Sequence, residues 1–174
     1  MTEEELVSAL KAGNKAAFKD VIKQYESLVA ATTISMLGRT VEAEDIGQET
    51  FIQFYKYIDN FRGDSSIGTY LTRIAMNLSL NELKRRKRRR FFFKDTEEEF
   101  IDPANPVKGM EDRELVHKAM QQLDEKYKSV ITLRLIDGLS TRQTSEHLNL
   151  PEGTILSRLA RGQEKLRHII DSLR

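Results

Sequence analysis

The sequence predicts an all-α protein made of two small helical domains joined by a flexible acidic linker. Three observations carry this. Only three prolines occur in 174 residues, and no segment alternates apolar and polar residues as a half-buried strand does. Apolar residues recur instead at the three- and four-residue spacing of amphipathic helices, among abundant Leu, Lys, Arg and Glu. Between residues 91 and 110 that period stops, and the block holds Asp95, Glu97, Glu98, Glu99, two prolines and a net charge of −3. The flanking parts carry +3 (1–90) and +1 (111–174). The expected division is a first domain over 1–92, a linker over 93–110 and a second domain over 111–174.

The first domain reads as four helices. Thr2 and Glu5 have capping-box form at the start of a short helix carrying Leu6, Val7 and Leu10. After Gly13-Asn14 a longer helix presents Ala17, Phe18, Val21, Ile22, Tyr25, Leu28 and Val29 and ends near Gly38. A third runs from about Val41 to Ile58 with Ile46, Thr50, Phe51, Phe54 and Ile58 inward. Next comes the polar loop Asn60–Ser66. The fourth helix, Ile67 to about Arg90, turns Ile67, Tyr70, Leu71, Ile74, Ala75 and Leu78 to one side and ends in seven consecutive cations, Lys84–Arg90. Seven in a row surround the helix, so they cannot all pack; such a block binds polyanions or stays solvated, nucleic acid being the commoner partner. One or two of Phe91, Phe92 and Phe93 are expected to pack back on the bundle, since three exposed rings invite aggregation. Base stacking is the sharper alternative.

The second domain reads as a helix-turn-helix preceded by a supporting helix. Leu123–Ile136 forms one helix with Tyr127, Val130, Ile131 and Leu135 as its core face, ended by Asp137-Gly138. Ser140 and Gln143 cap a short helix that runs to about Leu148. Asn149-Leu150-Pro151 then turns the chain into a long helix, with Pro suited to its first position. At about 100° per residue, Ile155, Leu159, Gly162 and Leu166 fall on one stripe and Thr154, Arg158, Arg161 and Lys165 on another. Major-groove readers are built this way, and so is an ordinary helical hairpin with a solvated basic face.

Composition narrows the chemistry. Cysteine is absent, which excludes disulfides, thiol catalysis and Cys-ligated zinc. No apolar run approaches the ~18 residues a membrane span needs, and the acidic Thr2–Glu5 start is no signal peptide, so a cytoplasmic chain without membrane insertion is expected. His117, His147 and His168 are scattered without metal-ligand spacing, and no nucleophile constellation is apparent. We therefore expect no enzyme, no cofactor, no metal and no small-molecule substrate.

Several motifs in order resemble one family. Gly13–Phe18, Ala43–Phe51, Phe61–Ser66 and Thr69–Asn77 look like domain 2 of an extracytoplasmic-function (ECF) sigma factor. Leu123 through Arg167, with Pro151-Glu152-Gly153-Thr154-Ile155, looks like its domain 4. The resemblance implies partners: core RNA polymerase, promoter DNA and an anti-sigma factor. It places Thr154, Ser157, Arg158, Arg161 and Lys165 at the −35 element, with Gly153 permitting close backbone approach. It assigns Asn60, Phe61, Arg62, Ser65 and Ser66 to capture of an unstacked −10 base. Tyr70 becomes an aromatic platform (plain core being the even alternative), and Arg73, Asn77, Lys84 and Arg85 contact backbone phosphates. Asp45, Gln48 and Glu49, three and four apart on one helix side, would dock on a basic coiled coil of polymerase; unaided, they read as a solvated acidic face. The linker's acids would mimic nucleic acid inside polymerase. Some positions depart from the family pattern: Tyr70 for Trp, Thr144 for an apolar anchor, Leu156 for a cation, and Asn81 and Lys84 for Asp and Arg. A helix-turn-helix regulator acting without polymerase is the alternative function.

Overall fold

A computed structural model describes residues 1–93 and 110–174. The acidic linker residues Asp95, Glu97, Glu98 and Glu99 lie outside the described residues. Those described form eight α-helices and no strand. The first half holds α1 (Glu3–Lys11), α2 (Lys15–Leu37), α3 (Val41–Lys56) and α4 (Ile67–Phe92), with a single 3-10 turn, Ile58–Asn60, after α3. The second holds α5 (Met110–Gln121), α6 (Glu125–Ile131), α7 (Thr141–Leu148) and α8 (Glu152–Leu173), with a π-turn over Thr132–Ile136 extending α6.

Helix starts obey local chemistry. Thr2 and Glu5 exchange side-chain and backbone bonds in a full capping box, and Asn14, Thr40 and Ser66 each accept a first-turn N–H. Three long helices, α2, α3 and α4, then bury Val21, Val29, Phe51, Phe54, Ile67, Leu71 and Ala75 together. Each large apolar side chain fully removed from water contributes about 1.5–3 kcal/mol. Gly68 lets α4 close on α2: a Cβ there would stand 3.2 Å from Tyr25 Cε1 and 3.3 Å from Leu28 Cδ2.

In the second half α8 lays Leu159, Leu166 and Ile169 against Met120, Leu123, Tyr127 and Ile131. Gly162 makes the crossing possible, since a Cβ there would meet Ile131 Cδ1 at 3.0 Å and Tyr127 Cβ at 3.1 Å. Gly162→Val should therefore cost this domain about 2 kcal/mol, overpacking outweighing the helix propensity recovered. Thermal unfolding measures it, and an unchanged melting temperature would show that the two helices part easily here.

The supporting helix departs from expectation. It begins at Glu125, and its last turn is π rather than α. A π-turn takes in an extra residue and rotates the chain beyond it. Leu135, expected inward, is 53% exposed, and Leu133 is buried in its place. Pro151 stands at the N-cap of α8, not at its first helical position. Thr144 is buried as the missing apolar anchor requires, with its hydroxyl donating to the Ser140 carbonyl.

The halves pack on each other. Leu133, Leu139 and Leu148 join Met36, Leu37, Ala43, Ile46, Met76, Leu80 and Leu83 in one apolar cluster. For this reason every residue from Tyr127 to Leu133 is buried: one side of the helix faces α8 and the other faces α2.

Candidate nucleic-acid interface

The helix-turn-helix is built as its sequence suggests. Ser140 and Gln143 complete a capping box, and Asn149 ends α7 in the left-handed region at φ 52°. Ile155 anchors α8 in the core while Ser157 and Arg161 stand exposed and Thr154 and Arg158 half-buried. Gly153 has open space around it, so nothing blocks a backbone from approaching there. Arg158 lines a groove of about 1600 Å³ between the halves, together with Leu150, Leu80, Leu83 and Arg90. Lys165 turns back toward its own domain, its ammonium 5.5 Å from the Tyr127 ring centroid. Leu156 is exposed beside Ser157.

In the first half, the Asn60–Ser66 loop is pinned at both ends. The Phe61 ring is buried against Tyr70, centroids 5.1 Å apart, and the Phe61 carbonyl accepts from Lys11 Nζ at 2.8 Å. The Glu3 carboxylate accepts from the Ile67 amide. The Phe61 ring, expected at the unstacked base, is core here, because the chain re-enters the bundle before α4. Asn60, Arg62 and Ser66 are exposed and Ser65 half-buried, with Gly63 at φ +78° making the turn. Ser66 Oγ is engaged in capping α4. The anchoring by α1 was not visible in the sequence, since Glu3 and Lys11 act across fifty or more residues of chain.

Along α4, Tyr70, Arg73, Asn77 and Lys84 lie within about 60° of each other at 3.6 residues per turn. Asn81 and Arg88, the latter one of the Lys84–Arg90 cations expected on phosphates, fall on the same stripe and are both exposed. Tyr70 is half-buried, edge-on to Phe54 and Phe61, so its ring belongs partly to the core and partly to the surface. Arg73 is half-buried with Nε unpartnered, and Asn77 and Lys84 are exposed or nearly so. Arg85 is exposed and pairs with Glu82 at 2.8 Å.

The cationic block is not all solvated. Arg86 is buried, donating to the Leu37 carbonyl and to Thr40 Oγ1 and pairing with Glu82. Phe91, Phe92 and Phe93 are all exposed (83%, 75% and 69%), against the expectation that one or two pack back. They sit at the C-terminal end of α4, and no described residue covers the rings there.

A different face carries acids. Asp45 is exposed, and Gln48 and Glu49 lie beside it on α3, on the side opposite Phe51 and Phe54. Ile52, 57% exposed, sits on the same stripe one turn later. Among the described residues, no three His, Asp or Glu side chains group as a metal site would need, and no helix is long and apolar enough to cross a membrane.

Comparison with known proteins identifies the halves. Residues 21–89 match Sigma-70 region 2, and residues 113–166 match Sigma-70, region 4. The ECF RNA polymerase sigma factor SigW of Bacillus subtilis is 33% identical, covering 92% of this chain and 92% of its own length. The RNA polymerase sigma-H factor of Pseudomonas aeruginosa is also 33% identical, covering 94% of this chain and 91% of its own. In fold, the chain is similar to the sigma factor RpoE solved with the anti-sigma factor NepR from Bartonella quintana, with a TM-score of 0.77 at 23% identity over 90% of this chain and 98% of that one. A helix-turn-helix regulator would account for the second half alone; both regions in one chain, in family order, show that it belongs to the ECF sigma factors of the sigma-70 family, the non-enzymatic factors of transcription initiation.

Proposed function

We propose that this chain works in the cytoplasm, binding core RNA polymerase through α3, bringing it to promoters with two elements and helping to open the DNA. Residues 1–92 serve the −10 element and polymerase, 111–174 the −35 element, and 93–110 join them. Thr154, Ser157, Arg158 and Arg161 read or grip the −35 duplex, with Lys165 joining once it leaves Tyr127. Asn60, Arg62, Ser65 and Ser66 receive an unstacked base, and Tyr70, Arg73, Asn77, Lys84 and Arg85 track the strand along α4. An anti-sigma factor is the expected controlling partner, as NepR is in the RpoE complex.

The observation that carries this reading is the pairing of two exposed polar-basic stripes, on α4 and α8, with a separate acidic stripe on α3. Two grips on one polyanion need like charge, and a third contact of opposite sign needs another partner. All the work is binding, so no reacting group is required.

Mixing the purified chain with core polymerase should give promoter-specific transcription. Asp45→Lys with Glu49→Lys should weaken polymerase association about tenfold or more, because charge reversal replaces attraction by repulsion across the contact. No association of the unaltered chain with core polymerase would sink the proposal.

A further inference from the structure

The face joining the two halves is polar where a permanent core would be apolar. From Leu28 to Leu37, α2 carries no charged residue, yet Thr32, Thr33 and Ser35 are fully covered. The π-turn supplies partners for two of them. Thr132, which opens it, places Oγ1 2.7 Å from Ser35 Oγ, and Asp137, just past its end, places Oδ1 2.7 Å from Thr32 Oγ1. Gln121 donates to the Ile34 and Ser35 carbonyls from the same side.

Thr32 sits between two acceptors. Its Oγ1 lies 3.1 Å from the Leu28 carbonyl and 2.7 Å from Asp137 Oδ1, and one hydroxyl hydrogen cannot serve both. Both bonds form together when the Asp137 carboxyl is protonated and donates to Thr32, which donates to Leu28. Asp137 Oδ2 is buried without a partner, and no cation contributes to the environment of the side chain. A neutral acid suits that place and a carboxylate does not.

We propose that this face is a proton-taking latch that holds the free chain closed, with Asp137 entering as the neutral acid. What the latch is for rests on the sigma-factor reading. Elements centred ten and thirty-five base pairs upstream lie on the order of 85 Å apart at 3.4 Å per base pair. The longest described helix, 26 residues, spans only about 39 Å. In the closed chain Leu148 of α7 joins Met76, Leu80 and Leu83 of α4 in one apolar cluster, and the charge of Arg73, one of the proposed strand contacts, acts on His147 of α7. The two domains cannot hold that contact and both elements at once, so promoter binding requires release.

The proton's effect on closure has a definite sign. Burial pushes Asp137 up to about 7 in the closed chain, opposed by the weaker effect of the Thr32 bond, against an ordinary value near 3.8. Its contribution to closure is complete below pH 4 and lost as pH rises through 7. His147 opposes it: burial first, then Arg73, pulls it down to about 4 from 6.5, so its contribution is lost as pH falls through that range. His117 on α5 is lowered in the same direction, by burial and then Arg39. Other charged groups at the interface have partners other than Asp137, and two of them bridge the halves. Arg134 bonds the Leu139 carbonyl, Lys128 the Met36 carbonyl, and Lys87 pairs with Glu125.

The chain lacks cysteine, so Lys15→Cys and Ser172→Cys give two unique dye positions, one in each half and both exposed. Energy transfer in the full chain, without polymerase or DNA, then reports closure. Thr32→Val and Ser35→Ala should each raise the open-to-closed ratio about tenfold. Asp137→Asn keeps a donor for Thr32 and should close without the acid's titration. Its closure, relative to the unaltered chain, should gain up to about tenfold per pH unit between pH 4 and 7. His147→Gln should shift the dependence the opposite way. The latch is overturned if the unaltered chain is open at every pH, or if transfer is the same in all variants whose circular dichroism shows intact helices. Because polymerase is absent, neither outcome bears on the sigma-factor reading, which fails separately in the transcription assay.

Discussion

Glu82→Ala is expected to destabilise the first domain by about 3 kcal/mol, the cost of taking a close counter-charge from a buried cation. Glu82 is buried inside the cationic block and takes Arg85 at 2.8 Å, Arg89 at 3.1 Å and Arg86 at 3.6 Å. Arg85 and Arg89 are well exposed and lose little when the carboxylate goes. Arg86 is different, since it is buried against the α2–α3 junction, and the half-exposed Glu42 stands farther off at 3.9 Å. The same pair explains how seven cations are tolerated at the end of one helix. Urea unfolding followed by hydrogen exchange at the α4 amides separates this domain from the other. Glu82→Leu with Arg86→Met should recover much of the loss, because packing replaces the pair. A loss below about 1 kcal/mol for the single substitution would mean that Arg86 finds water or another acid once Glu82 is gone.

Arg158→Ala and Arg161→Ala are each expected to weaken promoter binding 10- to 100-fold, about 1–3 kcal/mol, without affecting the fold. Neither guanidinium belongs to the core, whose α8 contribution is Ile155, Leu159, Gly162 and Leu166. The two should differ in kind. Removing a phosphate contact weakens all sequences alike and lowers the salt dependence by about one counterion, whereas removing a base contact relaxes preference at one position. Arg161 is exposed, so its proposed contact needs no rearrangement of the chain. Arg158 faces the groove between the halves, so its contact also depends on their separation. If both substitutions leave affinity and promoter choice intact, α8 is not the reading helix.

The features legible in the sequence were those set within a few residues. The capping boxes at Thr2 and Ser140 form because donor and acceptor are three residues apart. The stripes on α3, α4 and α8 arise from helical periodicity alone, which is why Asp45, Asn77 and Arg161 stand exposed as expected. Family membership was equally legible, since it rests on motif order. The tertiary structure decided which side of each element meets another part of the chain. Phe61 and Phe91 are the same residue type in polar settings, yet one ring is core and the other is bare, because α1 and Tyr70 reach the first and no described element covers the second. Leu135 was misplaced because packing on α2 buries Leu133 in the π-turn, while Leu135 stays at the open rim of the α8 contact beside Leu166 and Ile170. Arg86 came from a block read as mostly solvated, and nothing local marked Lys128 or Asp137; packing made all three structural, each across forty or more residues of sequence. Local hydrogen bonding and periodicity were written in the chain itself. The burial of charge depends on what folds over it, and only the packed halves settle that.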